Sequence, residues 1–193
     1  EDSNIPPTPQ IGGVGLLEDW RHGTSLAFGP HCEHILLVGE GPGHLGQSLY
    51  ARQFLGKDFG PPPSVDLPIE RRNGDFIRKV IGYGLVTACH DISDGGLLVA
   101  LAEMCMAGVR GANLNFDEDV GSLFGEDQSR YLIATTSRDL EPISNVAKLA
   151  NIPIRINGTV GGETLTLNTA NAISVSELIE IHERWLPTYT ASN

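Results

Sequence analysis

A formal net charge of −11, from 24 acidic and 13 basic residues in 193, excludes a surface built to neutralise nucleic-acid phosphates, because that task needs clustered lysine and arginine. Apolar residues make up 40% of the chain and charged ones 19%, as in a globular domain, and no apolar run nears the roughly 20 residues that cross a bilayer. The cysteines Cys32, Cys89 and Cys105 are odd in number and share no CxxC spacing, so they fit a reducing cytoplasm rather than a disulfide framework or a zinc site.

The opening EDSNIPPTPQ is acidic and proline-rich, which is not the pattern of a secretory signal. A start at Glu1 rather than methionine predicts a piece of a longer protein, or a processed one. Pro6, Pro7 and Pro9 keep residues 1–12 extended, and Gly12, Gly13 and Gly15 make the next apolar stretch a poor helix. Strands are predicted at 24–28 (TSLAF) and 34–39 (HILLVG), then a short helix at 44–56 and a rigid break at GPPPS, 60–64. The spacing predicts a helix over 65–84, with Asp66 as N-cap, Pro68 in its first turn and Ile69, Phe76, Ile77 and Val80 on its apolar face. Its basic residues Arg71, Arg72, Arg78 and Lys79 read as a solvated face. A buried strand follows at 85–90 and a helix at 94–107, then strands at 111–116 and 130–136. Ser137 or Asp139 starts a helix running to Ala150. The segment 152–160 reads as a strand turning Ile152, Ile154 and Ile156 inward, joined through Gly161-Gly162 to 163–168 as a hairpin. A last helix covers 174–186, capped by Ser174 or Ser176. Interleaved helices and strands joined partly by short turns predict an α/β sandwich, a mixed β-sheet flanked by helices, rather than a purely parallel doubly wound sheet.

Three segments could carry chemistry. In HDISDGG (90–96) a strand ends at His90, the loop offers Asp91, Ser93 and Asp94, and Gly95-Gly96 let the backbone come close to a neighbour. The helix start there suits an anion, and a carboxylate there could hold a metal. The other reading makes Ser93 or Asp94 a simple N-cap. In LFGEDQSRYLIATT (123–136) a polar burst, Glu126 to Arg130, precedes a buried strand; it is either a site at a sheet edge or a charged loop. GEGPGHLGQS (39–48) is glycine-rich but lacks the GK[ST] ending of a P-loop, and Pro42 interrupts a dinucleotide fingerprint, so a turn leading into a helix is the better account. His22, His31, His34 and His44 lack metal-ligand spacing, and no HExxH or nucleophile triad order is present.

Taken together and in order, PPTPQIGGVGLLEDW, GDFIRKVIGYGLVTACHDISDGGLLVALAEMCMAG and LFGEDQSRYLIAT resemble the C-terminal part of the phosphoribosylformylglycinamidine synthases, in their small bacterial form. The resemblance covers nearly the whole chain. It implies a parent ligase that converts formylglycinamide ribonucleotide to its amidine with ATP, Mg²⁺ and glutamine-derived ammonia. A separate glutaminase subunit and a small bridging subunit would be its partners. The synthetase of this family has two related halves, each with an N-terminal and a C-terminal domain, a design shared with aminoimidazole ribonucleotide synthetase. Residues 1–22 would be the tail of a preceding N-terminal domain or a linker, and 23–193 the C-terminal α/β domain of the second half. The catalytic His and ATP-contacting Lys of the first half are absent, so no catalytic residue is expected here.

In the first half of that family the motif matching His90-Asp91 supplies a magnesium-binding Asp, and the stretch matching Glu126 to Gln128 holds substrate. By pseudo-symmetry a second, degenerate site is implied. Ser93, Gly95, Gly96, Gln128 and Ser129 would face a nucleotide or phosphate, and Asp91, Glu126 and Asp127 a metal, with ADP and Mg²⁺ as an accessory occupant. Asp127 stands where the first-half motif has Ser, and an acid beside a phosphate is unfavourable without a cation. The three acids therefore imply either Mg²⁺ or no anion at all. The alternatives are a stand-alone nucleotide-binding or assembly module, and another superfamily member such as selenophosphate synthetase or thiamine-phosphate kinase. Surface normally covered by missing domains would drive an isolated copy to self-associate, as a homo-oligomer. No membrane or nucleic-acid partner is expected.

Overall fold

His34–Val38 forms β1, the strand around which the rest is arranged. The computed structural model describes residues 9–17, 19–56, 60–116 and 119–191. Strands β2 (Ala88–Asp91), β3 (Ala112–Leu114), β4 (Tyr131–Thr135), β5 (Ile154–Val160), β6 (Thr164–Leu167) and β7 (Asn171–Ser174) join β1 in a seven-stranded sheet, ordered β2-β4-β1-β5-β3-β6-β7. The helices are α1 (Leu67–Gly82), α2 (Gly96–Gly108), α3 (Val120–Phe124), α4 (Leu140–Leu149) and α5 (Val175–Ala191).

Successive side chains of a strand point to opposite faces, so β1 feeds two cores. Ile35 and Leu37 pack with Leu97, Leu101 and Met104 of α2 and Val175 of α5. Leu36 and Val38 pack with Phe76, Ile77 and Val80 of α1 and Ile143 and Ala147 of α4. Helices on both faces explain why residues 35–38 of β1 are an unbroken apolar run. The sheet is mixed, as expected: β3 and β6 pair in parallel and the other neighbours antiparallel.

Local chemistry sets the helix ends. The Asp66 carboxylate accepts the Ile69 N–H at 3.0 Å, closing the start of α1, and the Ser174 hydroxyl accepts the Glu177 N–H at 3.1 Å at the start of α5. Asn73, Phe76, Ile77 and Val80 form the buried stripe of α1, while Ile69 is exposed. At α4, hydrogen bonds from the Arg138 guanidinium and the Thr136 hydroxyl hold the Asp139 carboxyl below its ordinary range. That contribution is present above the ordinary carboxylate range and is lost as pH falls through the lowered folded value. Burial pushes the thiols of Cys89 and Cys105 up to about 12, with Asp91 adding to the effect at Cys89, so neither is a nucleophile at neutral pH.

Several sequence expectations need correction. Residues 24–28 are not a strand. The Ser25 carbonyl accepts the Cys89 N–H of the edge strand β2, and Phe28 N–H bonds the Met104 carbonyl of α2, so this stretch makes single bonds to the sheet edge and to a helix rather than a ladder. The helix expected over 44–56 begins only at Leu49, and Ala51–Leu55 is a single π turn. β5 and β6 are not a hairpin, because β3 lies between them. The Gly161-Gly162 turn instead wraps the start of β3: Gly161 N–H bonds Gly111 O and Gly111 N–H bonds Gly162 O. A Cβ on Gly111 would lie 2.3 Å from the Thr164 carbonyl oxygen, so only glycine allows this crossing. The hairpin is β6–β7, turned at Asn168 and Thr169 with φ of 51° and 58°, the positive values that primed hairpin turns need. Ile156, expected inward, is 60% exposed.

Candidate functional site

Antiparallel pairing of β2 with β4 sets Asp91 opposite Tyr131, and the Ile92 N–H bonds the Arg130 carbonyl at 2.9 Å just beyond. The start of HDISDGG and the end of GEDQSR therefore meet at one edge of the sheet. His90 points to α2. Its Nδ1 lies 3.2 Å from Asp91 Oδ1 and its Nε2 2.9 Å from Glu103 Oε2. With both ring nitrogens engaged and the side chain 16% exposed, His90 is a strut between β2 and α2.

The start of α2 is capped from a distance. Gly95 is the N-cap, in the left-handed region at φ 80°, and no side chain from its own loop caps it. Ser93 and Asp94 are exposed. Glu126 Oε1 instead accepts the Gly95 N–H at 2.8 Å and the Leu49 N–H at 2.7 Å. This is the reciprocal half of a capping box, supplied by another segment. Gly95 and Gly96 are buried, and a Cβ on Gly96 would lie 2.7 Å from the carbonyl carbon of Phe124.

Asp127 is 5% exposed and equally committed. Its Oδ2 accepts the Gly43 N–H at 3.0 Å, and both oxygens accept the His44 N–H, at 3.2 and 3.1 Å. Arg130 Nη2 lies 3.8 Å away. The glycine-rich loop is therefore seated on the 121–129 segment. A Cβ on Gly41 would lie 2.5 Å from Asp127 Cβ, and one on Gly43 2.8 Å from the Gly121 carbonyl carbon. The His44 ring reaches Pro61 O at 2.7 Å. The glycines serve backbone approach within the fold. Ser129 adopts φ 64°, its carbonyl held by Asn73 Nδ2 at 2.8 Å, and Gln128 is exposed.

The expected site residues thus do not share one cleft: some line one of two clefts, while Asp91, Gly95, Gly96 and Glu126 line neither. His90, Ser93 and Asp94 line one of about 810 Å³ between α2 and α5, with Glu103, His182 and Glu183. Asp127, Gln128 and Ser129 line a smaller one of about 270 Å³, with Glu40, His44 and Asp66. Glu126 joins the two motifs through Gly95. Sequence reasoning passed over the Gly43 and His44 amides, Asn73 and Glu103. The one signal for the first pair was the glycine spacing of residues 39–48.

Magnesium takes near-octahedral oxygen ligands, usually one or two carboxylates with open oxygens, the rest being waters and substrate phosphates. Both Asp127 oxygens are taken by N–H groups and a guanidinium stands beside them; one Glu126 oxygen carries two N–H groups; Asp91 is exposed beside His90. No group of three or more His, Cys, Asp or Glu that could hold a metal occurs among the described residues. The donor set does not fit a magnesium ion.

A mixed sheet with helices on both faces, a strand-to-helix turn of Asp, Ser and paired glycines, and an acid burst at the neighbouring strand define a class. The chain belongs to the family described as AIR synthase related protein, C-terminal domain, which it matches over residues 33–168. It is 49% identical over 193 residues to the phosphoribosylformylglycinamidine synthase subunit PurL of Rhodospirillum rubrum, covering 97% of this chain and 26% of that protein. It is 49% identical over 191 residues to the same subunit of Methylocella silvestris, again covering 97% of this chain and 26% of the relative. The chain spans about a quarter of the length of these relatives. Among solved structures, Thermotoga maritima PurL complexed with FGAR superposes with a TM-score of 0.69 at 19% identity, covering 82% of this chain and 30% of that one. The PurLQS structure from the same organism gives 0.63 at 18% identity, covering 82% and 28%. At such identities the likeness is one of fold.

Proposed function

We propose that this chain is the closing domain of a phosphoribosylformylglycinamidine synthase of the small bacterial type. Residues 23–193 form the C-terminal domain of its second half, and residues 1–22 the tail of the domain before it. The observation that carries this reading is the 49% identity to the Rhodospirillum rubrum subunit, along almost all of this chain and about a quarter of that protein. The whole enzyme would ligate glutamine-derived ammonia to formylglycinamide ribonucleotide with ATP and Mg²⁺, in the cytoplasm. A glutaminase and a small bridging subunit would be its partners.

Within it, this domain supplies a wall and an interface rather than reacting groups. The arrangement nearest to an activated nucleophile has the wrong polarity: Ser137 donates its hydroxyl to Glu33 Oε2 at 2.6 Å, so the ring of His34, 2.9 Å from Ser137 Oγ, can only donate to it. The test is a chimera of the Rhodospirillum rubrum subunit whose last quarter is replaced by this chain, placed in a strain lacking the subunit. Growth without added purine is the expected result. The 193-residue chain alone should give no amidine from formylglycinamide ribonucleotide, ATP, Mg²⁺ and ammonia. A folded chimera that fails to support growth, or amidine made by the isolated chain, would overturn the reading.

No helix among the described residues is long and apolar enough to cross a membrane, yet α5 exposes Ile181, Trp185 and Leu186. Exposed apolar groups of this kind drive association, so the isolated chain should form a homo-oligomer. A sedimentation coefficient that stays monomeric at every concentration would refute this.

A further inference from the structure

We propose that residues 124–126 are a built-in plug that closes the glycine end of the HDISDGG turn, Gly95-Gly96, to phosphate, with the Glu126 carboxylate standing where an external anion would sit. A helix start following a strand and two glycines attracts anions through its free N–H groups. Here two independent features occupy that position. The backbone of Phe124 and Gly125 lies over Gly96 so closely that a single methyl on Gly96 would fall 2.7 Å from one carbonyl carbon and 2.8 Å from the Gly125 oxygen. The Glu126 carboxylate then accepts the N–H of Gly95. The charge is negative, it comes from within the chain, and it is held at hydrogen-bond distance.

Glu126 does more than cover the helix end. The same Oε1 takes the Leu49 N–H, so one carboxylate oxygen joins two segments that lie 46 positions apart in the chain. Asp127 repeats the device on the Gly43 and His44 amides. Adjacent acids thus replace, on separate backbone concavities, the anions that such concavities collect. A phosphate brought to Gly95 would have to displace Glu126 and lift the 124–126 backbone, and it would meet the acidic Asp91 and Asp94 of the same loop. The inference stands on this geometry alone and would survive failure of the synthetase reading.

The experiment is amide NMR on the 193-residue chain. Titration of the unaltered protein with inorganic phosphate, and separately with Mg-ADP, should leave the Gly95 and Gly96 amides unmoved. A saturable shift of either amide would overturn the proposal. In Glu126→Gln the neutral amide holds N–H groups less well than a carboxylate. Hydrogen exchange at Leu49 and Gly95 should therefore quicken together, by about tenfold, while Gly43 and His44 keep their rates. Unchanged exchange at Leu49 and Gly95 would equally overturn it. The titration needs no substitution, so it decides the matter even if the variant folds poorly.

Discussion

Gly96→Ala should destabilise the chain by about 4 kcal/mol, a fall in Tm of about 8–16 °C for a domain of this size. Two effects add. Gly96 adopts φ 73°, where a Cβ collides with its own backbone, at about 1–2 kcal/mol. The new methyl would also meet the backbone of Phe124 and Gly125 at 2.7–2.8 Å, and backbone cannot rotate aside as a side chain can. Gly74→Ala is the matched contrast. Gly74 lies inside α1, its nearest neighbour to an added Cβ being the Tyr131 hydroxyl at 3.6 Å, an ordinary contact. There alanine should stabilise by about 0.5–1 kcal/mol through helix propensity. Thermal unfolding of both variants checks the pair. Equal Tm values would mean that the 124–126 segment does not lie against the helix start as described.

The difference between these glycines shows what could be read in the residues and what could not. Elements whose signal is periodic were legible: HILLV, the α1 stripe of Phe76, Ile77 and Val80, and the apolar run of α2. So were caps made by the residue just before a helix, Asp66 and Ser174. Pairing between strands was not. Gly161-Gly162 between two apolar alternations has the pattern of a hairpin, and only the insertion of β3 makes it a crossing. The β6–β7 turn went unseen because Asn168-Thr169 lacks the glycine that usually marks positive φ. α3, five residues long, is too short to show a period. At the site, the acids of GEDQS were visible as acids, but their role was not. It depends on the amides of Gly43, His44, Leu49 and Gly95, and backbone N–H groups carry no mark in a sequence.

Asp127→Ala should lower stability by about 3 kcal/mol, or about 6–12 °C in Tm. The substitution takes the acceptor from the Gly43 and His44 amides and removes the carboxylate that faces Arg130, which is 4% exposed. Leaving a donor without its acceptor in a packed region costs about 1–3 kcal/mol each, so two amides alone account for the expected size. Asp127→Asn keeps one acceptor oxygen and should lose about half as much. The same pair separates the two roles an acid at this position could have. As an internal anion, Asp127 stabilises the fold with or without divalent cation, so millimolar Mg²⁺ should leave the Tm of the unaltered chain unchanged. As a metal ligand it would make Tm rise with Mg²⁺ through mass action, and both substitutions would abolish that rise. With both oxygens turned toward backbone N–H groups and a guanidinium alongside, a bound cation would have to break two amide contacts and sit against a like charge, and neither step is compatible with the seated glycine loop.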